Sequence, residues 1–111
     1  MKCKTCGQEI PSNPIMEIPA QKLEWGKTCE KQLNWEDAKE WCAKQGNGWR
    51  LPTKIELLEA YEQKIDGFTT FYYWSSTEFI SNGAWNEDFA NGSQYNDDKS
   101  YGNDVRCIRS I

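Results

Sequence analysis

The pair Cys3-Lys4-Thr5-Cys6 is the first place in this chain where residue type and spacing could do chemistry. Two thiolates on one turn can ligate zinc, close a disulfide or shuttle electrons. Zinc needs two further ligands. The chain has no histidine and no second Cys-x-x-Cys, so a zinc site would have to recruit Asp or Glu, water, or another chain. An oxidised or free thiol pair at Cys3 and Cys6 is therefore the favoured reading, with a zinc knuckle as the alternative. Redox catalysis lacks the βαβ pattern that surrounds Cys-x-x-Cys oxidoreductases. The missing histidine also removes Ser-His and Cys-His nucleophiles and imidazole acid–base chemistry. Carboxylates remain, 17 of them, but no spacing singles out a pair for glycoside hydrolysis. Asp97, Asp98, Asn103 and Asp104 crowd one polar stretch, where a solvated loop is preferred over a calcium site. No enzyme is expected.

The elements that must carry these residues are drawn from an unusual palette. Only 18 of the 111 residues are Leu, Ile, Val or Phe, so the core has to be built largely from six Trp and five Tyr. Trp74 and Trp85 are expected inside. A formal charge of −4 with scattered lysines leaves no basic footprint for nucleic acid. No apolar run nears the ~18 residues that span a bilayer, and the N-terminus lacks the apolar segment of a signal peptide, so no membrane partner is expected.

Residues 1–20 hold three of the four prolines and no aromatic residue; they read as an arm, and residues 21–111 read as the folded domain. Lys22 to Trp25 alternates polar and apolar, which predicts a strand ended by Gly26. Asn34 as N-cap predicts a helix from Trp35 to about Gln45, apolar on Trp35, Ala38, Trp41 and Cys42 and stopped by Gly46. Thr53 and Glu56 make a capping box for a second helix to about Gln63, burying Ile55, Leu58 and Tyr61. Strands follow around Phe71–Trp74, Ala84–Phe89 and Ser93–Tyr95. The pairs Asn82-Gly83 and Asn91-Gly92 between them suit type I′ turns. Residues 96–104 read as a polar loop and Val105 to Ser110 as a last strand. This order gives an α+β domain.

Five blocks in this order resemble a known family: Trp35-Glu36-Asp37-Ala38 with Trp41-Cys42; Gly48-Trp49-Arg50-Leu51-Pro52-Thr53; Tyr73-Trp74-Ser75-Ser76-Thr77; Ala84-Trp85 with Asp88-Phe89; and Val105-Arg106-Cys107-Ile108-Arg109. From about Leu23 to Ile108 the chain is similar to the C-terminal domain of Lcl-type collagen-like adhesins, a bacterial and phage family. The resemblance implies a C-type-lectin-like fold, two helices packed on a small, mostly antiparallel β-sheet. It relates the architecture to formylglycine-generating enzymes and to variable proteins of diversity-generating retroelements. In such folds a cysteine of the first helix meets one of the last strand, and Cys42 and Cys107 hold those places. The resemblance thus implies Cα atoms closer than ~7 Å, as a disulfide in an oxidising compartment or as adjacent thiols in a reducing one. Cys29 would then be the remaining sulfur for Cys3 and Cys6. Trp85-Asn86-Glu87-Asp88 is similar to the Trp-Asn-Asp of calcium-dependent lectins, but the partner Glu-Pro-Asn tripeptide is absent; a solvated strand is expected there.

All three arginines, Arg50, Arg106 and Arg109, fall inside the blocks, where a guanidinium can stack on Trp and bond carbonyls to hold irregular loops. The function expected is a non-catalytic binding module, phage- or mobile-element-encoded. It would recognise a protein or a glycan through the loops between Phe68 and Tyr101, as a receptor-binding component or an inhibitor of a host protein. Tyr95 and Tyr101 are the expected anchors, with Asn96, Asp97 and Asp98 beside them as adaptable polar contacts. The alternative is a zinc-stapled assembly protein that oligomerises through its N-terminal knuckle. Either role places it in the cytoplasm of a bacterial host or on a virion.

Overall fold

Asn34 starts the first helix as its sequence position demands. Its side chain accepts the Asp37 N–H at 2.8 Å, and α1 runs Trp35–Ala43 in the computed structural model, which describes residues 22–111. The Cys3/Cys6 pair and the arm lie outside the described residues. One stripe of α1, Trp35, Ala38 and Cys42, is buried, and Trp41 is half-buried at its edge. Helix α2, Lys54–Gln63, opens in a complete capping box: Thr53 Oγ1 accepts the Glu56 N–H at 3.1 Å and Glu56 Oε1 accepts the Thr53 N–H at 2.8 Å. Thr53→Ala should cost ~1 kcal/mol. Thermal melting should report a fall of roughly 4–8 °C, and an unchanged midpoint would show that the box adds nothing.

The buried face of α2 differs from the expected one. Leu57 and Ala60 are buried, Leu58 and Tyr61 are half-buried, and Ile55 is 54% exposed. Small Ala60, one turn from Leu57, turns the stripe of least bulk to the neighbouring strands, and the larger Ile55 is left in solvent.

The strands form two small antiparallel sheets where one was expected. β1 (Leu23–Thr28) pairs with β5 (Arg106–Ser110), Trp25 standing opposite Ile108. β2 (Tyr72–Phe79), β3 (Gly83–Asp88) and β4 (Gln94–Asp98) form a meander. The two sheets are stitched by the segment before β5: the Trp74 N–H donates to the Asp104 carbonyl at 3.0 Å, and the Asp104 N–H to the Tyr72 carbonyl at 2.8 Å. Arg50 exchanges both backbone bonds with Ile108, which brings the Trp49-Arg50-Leu51 block onto β5.

Three glycines behave differently from their sequence reading. Gly26 does not end β1; it lies within the strand, and a Cβ there would come 3.2 Å from the Trp49 ring. Neither Asn-Gly pair makes a type I′ turn. Ile80, not Asn82 or Gly83, takes the left-handed conformation (φ 55°), and Gly83 is required because a Cβ would stand 2.7 Å from the Phe79 carbonyl. At the second turn Gly92 alone is left-handed (φ 80°), its N–H closing on the Asp88 carbonyl at 2.7 Å. Asn96, Asp97 and Asp98, expected in a loop, belong to β4.

The core gathers Trp35, Ala38, Cys42, Leu51, Trp74, Ala84, Val105 and Cys107. Both buried indoles are satisfied: Trp35 Nε1 donates to the Ser75 carbonyl and Trp74 Nε1 to the Leu33 carbonyl, each at 2.8 Å. Cys42 and Cys107 are joined in a disulfide with Cα atoms 5.6 Å apart. Trp85, expected in the core, is only half-buried; Lys54 Nζ sits 4.2 Å over its ring and Phe79 meets its edge. Among the described residues no helix is long and apolar enough to cross a membrane.

Candidate functional site

Phe71, Tyr72, Tyr73 and Trp74 are consecutive aromatics, and a strand must send them alternately to opposite faces. Tyr73 and Trp74 are fully buried because α2 and the Phe68–Phe89 stack cover one face and α1 the other. Phe71 and Tyr72 lie beyond that cover, 59% and 42% exposed. Register places Asn86 opposite both Trp74 and Tyr95, so Tyr72 and Tyr95 share a face; their ring centroids are 5.9 Å apart and Tyr95 is 45% exposed. Phe71 and Tyr72 border a shallow depression of about 340 Å³ with Asn103 and Asp88 in its lining. Tyr101, 59% exposed, sits on the turn leading into Asn103.

The polar residues expected beside the tyrosines do other work. Asn96 lies on the face of β4 opposite to Tyr95, across from Trp85. Asp97 turns inward, its Oδ2 accepting from Asn86 Nδ2 at 2.7 Å and Asn103 Nδ2 at 3.1 Å. Asp98 caps its own turn through the Ser100 N–H and hydroxyl, which lower its pKa. No group of three His, Cys, Asp or Glu side chains gathers as a metal set among the described residues.

The strand Asn86-Glu87-Asp88 is not solvated as expected. All three residues are buried, because β3 is the central strand of its sheet with α2 packed against it. Neither carboxylate oxygen of Glu87 has a hydrogen-bond partner. Burial pushes its pKa up to about 7, helped by the negative charges of Asp88 and Glu62. The neighbouring Gln94 amide offsets this only in part, and its hydrogen bond runs to the Lys54 carbonyl at 2.7 Å.

The arginines do what their place in the sequence suggests. Arg50 meets Glu56 with two parallel bonds of 2.8 and 2.9 Å, the main reason the Glu56 carboxyl sits below its ordinary pKa. Arg106 Nε and Nη1 donate to the carbonyls of Gly26 and Asp66, with its guanidinium 4.5 Å from the Phe68 ring centroid. Arg109 bonds Glu24 and lies 4.7 Å from the centroid of the Trp49 ring. A family model, the Lcl C-terminal domain, matches residues 19–109, a range that spans all of these blocks. The chain belongs to this family. No curated protein matches it. In this Lcl domain those blocks are mainly scaffold: they supply the Thr53 cap of α2, the bridged cysteines, the buried indoles and the arginine clamps. The exposed aromatics Phe71, Tyr95 and Tyr101 stand outside them. Sequence reading missed Phe71 and Tyr72 as surface residues, although four aromatics in a row were a signal that some would face outward.

Proposed function

We propose that this Lcl domain is a non-catalytic binding module of C-type-lectin-like architecture that docks a protein partner on Phe71, Tyr72 and Tyr95. The observation carrying this reading is a run of exposed aromatics: Phe71 and Tyr72 border a shallow depression and Tyr95 meets Tyr72 with ring centroids 5.9 Å apart, each over 40% exposed. Aromatic anchors of this kind bring contact area at small entropic cost and dominate protein interfaces. The rim is polar, with the exposed Gln32 and Thr70 able to bond a partner backbone. A role as a receptor-binding component, or as an inhibitor docking on a host protein, would use this surface in the same way. The absence of histidine from the sequence supports a non-catalytic role.

The test compares partners retained from host lysate by the wild type, by Phe71→Ala and by Tyr95→Ala/Tyr101→Ala. Retention should weaken by about 2 kcal/mol, roughly thirtyfold, in each variant, with far-UV spectra unchanged. Equal retention by all three proteins would move the binding face away from this sheet.

A further inference from the structure

The depression beside Phe71 and Tyr72 has a single charged residue in its lining, Asp88. Asp88 is only 7% exposed, and the surface it keeps opens into the depression. The turn after β3 fixes it there: Oδ1 accepts the Ala90 N–H at 2.9 Å, and the Gly92 N–H closes on its backbone carbonyl at 2.7 Å. Oδ2 has no hydrogen-bond partner among the described residues, and no Lys or Arg among them pairs with the carboxylate. A carboxylate taken this far out of water ordinarily has its lone pairs met by donors.

The surroundings add negative charge and nothing to balance it. Asp97 and Asp104 stand behind the rim, one bonded by Asn103 Nδ2 and the other by the Thr69 hydroxyl, neutral donors that leave both charges in place. The lysines nearest in sequence to the lining are turned to other work. Lys99 Nζ donates to Glu78 and the Ser81 carbonyl, and Lys31, next to Gln32, lines a separate depression with Lys27 and Glu30. Phe71 and Tyr72 bring exposed rings, whose faces attract a cation. An anion entering here would meet Asp88 with no cation beside it, and a neutral donor would bond Oδ2 yet leave the summed charge uncompensated.

We propose that this depression takes a lysine or arginine side chain of the protein partner, its apolar stem along Phe71 and Tyr72 and its charged head on Asp88 Oδ2. The inference rests on the docking reading and names what the partner must carry. Titration of the isotope-labelled chain with capped tetra-arginine, tetralysine and tetraglutamate, read from the Phe71 and Ala90 amide shifts, tests it. A basic peptide should move both amides saturably, with Kd of about 1 mM or tighter, and tetraglutamate should move neither. Asp88→Asn keeps an oxygen for the Ala90 N–H and removes the charge; it should weaken the basic peptide about tenfold. Phe71→Ala, on a side chain outside the core, should weaken it ~3-fold. Glu59→Gln removes the same charge from an exposed position on α2 and should leave the affinity unchanged. The proposal is overturned by no saturable movement with either basic peptide, by full affinity in Asp88→Asn, or by an equal loss in Glu59→Gln. A host partner that Asp88→Asn retains as the wild type does, and Phe71→Ala loses, overturns the basic key alone and leaves the docking face standing.

Discussion

Removing the disulfide by Cys42→Ala/Cys107→Ala should lower the unfolding free energy by about 4 kcal/mol. The bridge joins residues 65 apart in sequence, and both are buried in the core. In the unfolded chain it forbids every conformation in which those residues separate, and this loss grows with the logarithm of loop length. Against a total of ~5–15 kcal/mol for a domain of this class, the bridge decides whether the fold persists at elevated temperature. Urea unfolding of the oxidised wild type, the reduced wild type and the double variant measures it. The reduced protein should fall close to the variant. Coincident transitions for oxidised wild type and variant would show that the bridge adds nothing.

Glu87→Gln should make the domain more stable at pH 8 by about 3 kcal/mol, from a pKa near 7 against the ordinary 4.5 at 1.36 kcal/mol per unit. The folded chain holds this proton more tightly than the unfolded chain. Stability from the group is therefore fully present below about pH 4.5, declines as pH rises and is lost once pH passes about 7. Glu56 acts in the opposite sense: its carboxyl is depressed by Arg50, so its contribution is present above its ordinary 4.5 and lost as pH falls through the lowered value. The two windows are separate. Melts of wild type and Glu87→Gln at about pH 5 and pH 8 should differ little at the first and by on the order of 10 °C at the second. A wild type whose stability relative to Glu87→Gln stays constant over that range would mean that Glu87 is ionised and solvated in the fold.

What could be read from the sequence was local. Asn34 and the Thr53/Glu56 box fixed both helix starts because a cap is a bond between residues three apart. The face of α2 was not legible, since Ile55, Leu57, Leu58, Ala60 and Tyr61 fit two overlapping apolar stripes and the choice was made by how closely Ala60 allows the helix to approach. Gly83 looked like a turn residue and is a contact residue, a distinction set by the position of the Phe79 carbonyl. The division into two sheets depends on β1 pairing with β5 across most of the chain, which no window of sequence contains. At the candidate site, Tyr95 and Tyr101 were recognisable as spare aromatics. Asp97 was not recognisable as an internal acceptor, because Asn86 and Asn103 reach it from separate elements.

The pairing of the first and last strands also sets how the domain bears load. Leu23 stands opposite Ser110 and the Ile111 N–H bonds the Lys22 carbonyl at 3.0 Å, so the two ends leave from the same edge. Tension entering at Lys22 and leaving at Ile111 opens a zipper one rung at a time and does not shear the rungs together. Peeling passes Arg109 and Ile108 and halts at Cys107, where the pull crosses through sulfur to Cys42. Everything between those cysteines then stays slack, including the meander and the Phe71–Tyr95 patch. Trp25 and Trp41 lie on the strained side, so a tug that loosens their packing leaves the aromatic patch undisturbed.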